Sequence, residues 1–338
     1  MKTAIWGAGA LGTVLGAYLS KNNIDIDLIS RNKLHIQALK LNGAKITGTV
    51  EMTVPVKAFL PEEVAGKYDI VFLMTKQTEN TATVKSILPF LNADGIICTM
   101  QNGIPEISVA EIIGEKRTFG CAIEWGATLK DPGDSELTSN PDSISFSTGS
   151  FSKVADKNKL LEIKRILELM GPVNIEENFM GARWAKLIVN SSFSGMSAVT
   201  GLTFGEAAKN RNSRICIQKI IKECIDVAHA AGIKVEPIQG KDICKLLDYK
   251  NKFKQKFVYM ILPMAIRKHK LLKASMLQDL EKGRKCEIDS INGIVSEYGR
   301  KKNIPTPYND MVIKIIHEIE EGKYTPELKN LQLFRDLK

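Results

Sequence analysis

"KTAIWGAGALGTVLGAYLSK", residues 2–21, places Gly7, Gly9 and Gly12 in the spacing G-x-G-x-x-G. Such a triplet carries chemistry only when a strand feeds it and a helix leaves it. Both neighbours are present. Thr3 to Trp6 reads as a short strand, and Leu11, Val14, Leu15, Tyr18 and Leu19 recur with a helical period between Ala10 and Lys21. Gly7 then permits a tight turn, Gly9 lets backbone amides reach a pyrophosphate with no Cβ in the way, and Gly12 lets the helix lie close to the strand. The following "IDIDLISRNK", residues 24–33, alternates as a second strand and completes a βαβ unit. The expected ligand is a dinucleotide, held by Gly7, Ala8, Gly9, Ala10, Leu11 and Gly12.

The end of the second strand selects among dinucleotides. A carboxylate there accepts from a ribose 2′-hydroxyl, whereas a cation suits a 2′-phosphate. This chain offers Ser30, Arg31, Asn32 and Lys33, so NADP (NADPH) is the expected cofactor and Arg31 its 2′-phosphate ligand.

Near-continuous apolar runs follow at "YDIVFLMTK" (68–76), "GIICTMQNG" (95–103) and "RTFGCAIEW" (117–125), as in a parallel sheet buried on both faces. Ligands of such sheets bind at the carboxyl ends of strands, which directs attention to Thr75-Lys76 and Gln101-Asn102-Gly103. Between Ala127 and Gly149 a region rich in Gly, Pro, Ser and Asp contains the alternating "DSISFSTGS" (142–150), predicting antiparallel additions at the sheet edge. A helix from Lys157 to Met170 and a strand from Pro172 to Ile175 close this part. Helical periods dominate thereafter. The expected fold class is α/β: an N-terminal Rossmann-type doubly wound sheet, residues 1–176, and a mostly α-helical C-terminal domain, residues 177–338.

In that second domain, "ARWAKLIVNSSFSGMSAVTG" (182–201) is apolar around most of its circumference and reads as a buried central helix. Lys186, Asn190 and Ser194 recur at i, i+4 and i+8 and share a face of a regular helix. A lysine there can run its stem over apolar surface to water, or serve as a proton donor with a responsive pKa; the stripe alone does not choose. A second polar cluster favours chemistry. In "ASMLQDLEKGRKCEIDSINGIV" (274–295), Ser275, Gln278 and Asp279 lie along one helical face, Gly283 reads as a helix stop, and Glu287 falls at the start of the next helix. Taken alone, Glu287 and Asp289 read as ordinary helix-start acids.

Together, the N-terminal glycine turn, "TK" at 75–76, "QNG" at 101–103, "RWAKLIVN" at 183–190 and "SMLQDLEKGRKCEIDSINGIV" at 275–295 resemble the ketopantoate reductase (2-dehydropantoate 2-reductase) family. The match runs in order along nearly the whole chain. The resemblance implies reduction of ketopantoate to pantoate with NADPH, in pantothenate and coenzyme A biosynthesis. It implies Lys186 as general acid and Glu287 as the carboxylate that pairs with it and contacts the substrate hydroxyl. Asn190 and Ser275 would bind substrate, while Lys76 and Asn102 would line the cofactor crevice, Asn102 also near the substrate. The chain departs from the family pattern at Ser194 and Leu272, where many or some members carry asparagine. Both positions would face the substrate, so a related 2-oxo acid or imino-acid reductase is the alternative.

Composition bounds the other readings. A chain of 338 residues, 44% hydrophobic and 25% charged, is globular and long enough for two cores. The six cysteines form no C-x-x-C and do not cluster with the four histidines, so no metal site and no disulfide framework is expected. The net charge of +9 suits anionic small molecules or nucleic acid. The lysines of "KNKFKQKF" (250–257) and "RKHKLLK" (267–273) are spread around helical turns without a base-stacking aromatic array and read as solvated faces. A non-catalytic NADP-binding sensor would need the glycine turn but not Lys186 with Glu287. The expected partner is a small-molecule 2-oxo acid, with no nucleic acid and no membrane. A homodimer is the oligomer considered, and the cytoplasm is the expected location.

Overall fold

The computed structural model describes all residues except Lys153, Gln239 and Lys338. Packing divides the chain into two compact units, residues 1–101 with 105–179, and residues 102–104 with 180–338.

The first unit runs β1 (Thr3–Trp6), α1 (Ala10–Lys21), β2 (Ile26–Ile29), α2 (Lys33–Asn42), β3 (Ala44–Gly48), β4 (Met52–Val54), β5 (Lys57–Phe59), β6 (Tyr68–Leu73), α3 (Asn80–Ile87), β7 (Leu91–Thr99), α4 (Glu106–Ile113), β8 (Thr118–Ile123), β9 (Ala127–Asp131), β10 (Asp134–Leu137), β11 (Phe146–Ser150), α5 (Lys157–Leu167) and β12 (Val173–Ile175). Among the described residues the main sheet has the order β12-β11-β8-β7-β6-β1-β2-β5. From β5 through to β8 every neighbouring pair is parallel. All residues of β8 are buried, as its unbroken apolar run predicts for a strand covered on both faces; β1 is buried throughout as well, and so is the alternating β2, whose Asp27 accepts from Tyr68 Oη at 2.8 Å. The chain leaves β1 towards β2 and β5, then returns past β1 to β6, β7 and β8. This reversal makes the carboxyl ends of β1 and β6 the switch point, where doubly wound sheets open a ligand crevice.

The predicted antiparallel addition is met by β11, which runs antiparallel to β8 and parallel to β12. The hairpin of β9 and β10 departs from it. These strands join β3 and β4 in a separate sheet of order β4-β3-β10-β9, which packs on α1. Strands β3 and β10 alternate buried and more exposed residues, so each has one apolar face to place, and α1 receives it. His35 ties the layers together: one ring nitrogen meets Thr13 Oγ1 at 2.9 Å and the other accepts from Gly133 N at 3.0 Å.

The second unit is helical: α6 (Phe179–Val189), a π-helical turn (Asn190–Ser194), α7 (Gly195–Thr200), α8 (Phe204–Lys209), α9 (Arg211–Ala230), α10 (Ile243–Leu247), α11 (Lys252–Ala265), α12 (Ser275–Glu281), α13 (Ile288–Lys302) and α14 (Pro307–Glu320). Helix α9 is the hub, packing against the π turn, α8, α11, α13 and α14. Trp184 anchors α6 to it: the ring is fully buried, donates from Nε1 to the Cys224 carbonyl at 3.0 Å and meets Tyr298 edge-on.

The stretch 182–201 is buried as expected but is not one regular helix. Gly195 N reaches the carbonyls of both Asn190 and Ser192, and the extra residue in the turn rotates α7 relative to α6. Lys186, Asn190 and Ser194 therefore do not share an uninterrupted helical face. The buried hydroxyls of Ser192 and Thr200 are satisfied locally: Ser192 Oγ donates to the Ile188 carbonyl and Thr200 Oγ1 to that of Met196. No helix among the described residues is long and apolar enough to cross a membrane.

Candidate functional site

The glycine turn leaves β1 at the switch point. Gly7 has φ +111°, and a Cβ there would stand 2.4 Å from Thr75 N, so the turn lies directly on the loop after β6. A Cβ on Gly12 would stand 2.7 Å from the Gly7 carbonyl and 3.0 Å from Ile5, which is the close helix-to-strand approach its position predicts. Gly9 differs. A Cβ there would meet nothing within 4 Å, so this glycine leaves open space beside the helix start.

The amides divide into two sets. Those of Gly7 and Ala8 both donate to the Ile29 carbonyl at 2.9 Å and hold the turn to β2, Ala8 being fully buried. Helix α1 begins at Ala10, so the amides of Ala10, Leu11 and Gly12 have no acceptor one turn back inside the helix. Gly9 provides no side-chain cap, and the first turn carries no acidic residue. The positive end of the helix dipole is therefore uncompensated by side chains, which is the chemistry a phosphate needs.

The rim is cationic. Arg31 follows β2, exposed, and its Nη1 donates to Glu79 Oε2 at 2.8 Å. Asn32 beside it caps α2, accepting from His35 N at 3.2 Å. Lys76 follows β6, exposed, at the start of the short turn Gln77–Glu79 that carries Glu79. The Arg31–Glu79 pair thus joins the loops after β2 and β6. Behind them runs a polar network whose loops, but not whose partners, are visible in the sequence. Buried Gln101 donates from Nε2 to the Thr75 carbonyl at 2.8 Å and to Asn80 Oδ1 at 3.0 Å, and Asn80 Nδ2 donates to Ser108 Oγ at 2.9 Å. These bonds fix the carboxyl ends of β6 and β7 relative to each other. Asn102 follows Gln101, half-buried.

In the second unit Lys186 is half-buried on α6, between the buried Ala185 and Leu187. Asn190 opens the π turn, half-buried, and Ser194 closes it, buried. Both α12 and α13 pack against this turn. Ser275 is the exposed first residue of α12, and Glu287 is the half-buried residue that precedes α13. The structure thus brings the elements carrying Asn190, Ser194, Ser275 and Glu287 onto one turn.

Of the two acids at the start of α13, Asp289 meets His317 Nε2 at 3.0 Å, while the Glu287 side chain makes no capping bond to the helix it precedes. Glu287 stands at the N-terminal end of α13, where its charge suits the helix dipole. Its place is held from behind, where Cys286 N donates to Glu320 Oε1 at 2.8 Å. Leu272, at one of the two departures from the family pattern, is 44% exposed.

Three further residues were not singled out from the sequence. Glu223 on α9 accepts from Tyr308 N at 2.8 Å, Asn309 N at 2.9 Å and Asn309 Nδ2 at 2.7 Å. Asn292 donates from Nδ2 to Asn309 Oδ1 at 2.9 Å and to the Ser191 carbonyl at 3.0 Å. The signal available was an uncharged amide inside the apolar period Ile288, Ile291, Val295, and a carboxylate inside "IIKECIDV". Burial pushes the Glu223 carboxyl up to about 7, against the three bonds that pull it down, and Asp310 adds to the rise.

A doubly wound sheet with an open glycine turn at its switch point, joined in sequence to a helical unit that packs round α9 and carries a half-buried lysine, defines a two-unit protein of the Rossmann type. Two family models cover most of it: "Ketopantoate reductase PanE/ApbA" matches residues 3–150, and "Ketopantoate reductase PanE/ApbA C terminal" matches residues 178–320. The chain belongs to the ketopantoate reductase family of oxidoreductases. It is similar to the 2-dehydropantoate 2-reductase of Pyrococcus horikoshii, 28% identical over 321 residues that span 94% of this chain and 96% of the relative. That of Streptococcus pyogenes is 26% identical over 327 residues, 95% of this chain and 98% of the relative. Among solved structures, D-mandelate dehydrogenase with NADH and anilino(oxo)acetate shares the fold, with a TM-score of 0.82 at 23% identity over 95% of this chain and 99% of that one.

Proposed function

We propose that this protein reduces 2-dehydropantoate (ketopantoate) to pantoate with NADPH, the reaction that supplies pantoate for pantothenate and coenzyme A. The observation that carries the reading is Lys186, half-buried on a helix whose neighbouring residues are buried, one turn before Asn190 and the π turn onto which α12 and α13 pack. On this reading residues 1–176 serve the cofactor and residues 177–338 serve substrate and catalysis.

The first unit fits a 2′-phosphorylated dinucleotide. The space beside Gly9 and the amides of Ala10, Leu11 and Gly12 suit the pyrophosphate, with Gly7 and Ala8 shaping the turn that presents them. Arg31 suits the 2′-phosphate, and Lys76 and Asn102 would lie further along the crevice. NADPH, when bound, supplies a hydride to C2 of the oxo acid.

The protein's own residues manage the oxygen. Negative charge grows on the C2 oxygen as its carbonyl bond opens, and the Lys186 ammonium stabilises that charge and then transfers one proton to it. The product is a 2-hydroxy acid, and the lysine recovers its proton from water. Glu287 orients the amine and accepts from the new hydroxyl. Asn190 and Ser275 hold the polar ends of the substrate, with Asn102 and Ser194 beside it.

A reductase for another branched 2-oxo acid, or for an imino acid, is the second reading. Ser194 and Leu272 favour it, because a hydroxyl and an apolar chain offer fewer polar contacts than asparagine at both places. A steady-state panel decides between them, with ketopantoate and two close 2-oxo acids assayed against NADPH and NADH. The highest kcat/KM is expected for ketopantoate with NADPH; a clear preference for another oxo acid overturns the substrate assignment.

A further inference from the structure

The π turn has a specific chemical consequence. In an unbroken helix the Ser191 carbonyl would accept from Gly195 N, four residues on. Here Gly195 N goes to the carbonyls of Asn190 and Ser192 instead. The Ser191 carbonyl takes the side-chain amide of Asn292, from α13, at 3.0 Å. A Cβ on residue 195 would stand 3.3 Å from both polar atoms of that amide, so the glycine leaves the room that Asn292 occupies.

The orientation of Asn292 is set from further away. Its Nδ2 also donates to Asn309 Oδ1 at 2.9 Å, which commits both amide hydrogens. Asn309 is turned by Glu223, whose Oε2 accepts from Asn309 Nδ2 at 2.7 Å. Both oxygens of the carboxyl accept, for it meets the backbone amides of Tyr308 and Asn309 as well. Starting from Glu223, donor and acceptor alternate in one sense down to Ser191. All of these groups are buried, where a reversed amide would set like against like.

We propose that Asn292 is a positioning residue, steered by Asn309 and Glu223, that holds the π turn and thereby sets Asn190 relative to Lys186. The proposal rests on the reading of Lys186 and Asn190 as the groups that meet the oxo acid. It assigns the relay no contact with substrate or cofactor. Misplacement of a binding group by about 1 Å costs on the order of 100-fold in rate, so the relay acts on the substrate step.

Asn292→Asp keeps the shape and puts an oxygen against the Ser191 carbonyl. The expected result is a fall of roughly 10- to 100-fold in kcat/KM for the 2-oxo acid, with KM for NADPH within about two-fold of the parent. Amide hydrogen exchange over residues 190–196 should accelerate in the same variant. Glu223→Gln should give the same pattern more weakly, and the double variant should fall short of the product of the two. Should Asn292→Asp not fold, Gly195→Ala presses a methyl on the Asn292 amide from a helical position and should reproduce the split between substrate and cofactor.

Unchanged exchange over 190–196, or equal losses for substrate and NADPH, overturns the proposal. A parent enzyme that turns over no 2-oxo acid overturns the proposed function instead, and the exchange measurement still decides whether Asn292 holds the turn.

Discussion

Arg31, just past β2, is held by Glu79, just past β6, at 2.8 Å, and both side chains are more than half exposed. An exposed pair of this kind contributes at most about 1 kcal/mol, so it is easily exchanged for another anion. Glu79 stands where a 2′-phosphate bound to Arg31 would feel its charge. Arg31→Ala should raise KM for NADPH about ten-fold or more while leaving KM for NADH nearly unchanged. Glu79→Gln should lower KM for NADPH by roughly two- to five-fold, the scale of one exposed charge pair. Initial-rate measurements with both cofactors check the pair; equal effects on NADPH and NADH remove the 2′-phosphate assignment.

Lys186→Ala should lower kcat by about 100-fold or more, the usual scale for a positioned proton donor. Binding of NADPH, followed by nicotinamide fluorescence, should persist. Near-normal turnover in this variant would remove Lys186 from the mechanism.

Gly7 and Gly9 should respond differently to alanine. At Gly7 the new Cβ meets Thr75 N and the Met74 carbonyl group on a backbone of positive φ, so overpacking and strain together should cost roughly 2–4 kcal/mol in urea unfolding. At Gly9 the space is open and φ is −95°, so stability should change by less than about 1 kcal/mol. The methyl then stands where the pyrophosphate is expected, and affinity for NADPH should drop. Unimpaired cofactor binding in Gly9→Ala would move the phosphate site elsewhere.

Glu223 links stability to pH with a definite sign. Its carboxyl is raised from 4.5 to about 7, chiefly by burial, so between those values the folded state holds a proton that the unfolded chain has released. The contribution is fully present below about 4.5 and is lost as pH rises through 7. Asp310 faces this group, along with the phenols of Tyr308 and Tyr249 and the thiol of Cys224, all three of which stay neutral across that range. The Tm difference between the parent and Glu223→Gln should therefore favour the parent more at pH 5 than at pH 8. A difference independent of pH would show that Glu223 is not the titrating group.

Much of the first unit was legible because its signals are local. A glycine triplet between an apolar strand and a helical period needs no distant contact to be read, and neither do strands that are apolar end to end. Strands β3, β4 and β5 were not legible. They are three to five residues long, and their periods are interrupted by Lys45 and Thr53, which face water in the small sheet, and by Lys57, which faces water on the edge strand of the main one. The hairpin of β9 and β10 was visible as turn chemistry, but its partner sheet was not, because β3 precedes it by more than eighty residues.

By itself the sequence determined that a dinucleotide-type turn opens the chain, that no acid follows the second strand, and that a lysine interrupts a buried helix. These are properties of residue type at fixed spacing, which the backbone periods of helix and strand translate directly into position. Only the tertiary structure decided that Ala8 is tied to β2 while Ala10 and Leu11 begin the helix, that Glu79 answers Arg31, and that a π turn separates Lys186 from Ser194. Each of those depends on which distant group meets a given amide or charge. Ser191 makes the difference plain: its carbonyl partner, Asn292, lies 101 residues away, and no local period encodes that contact.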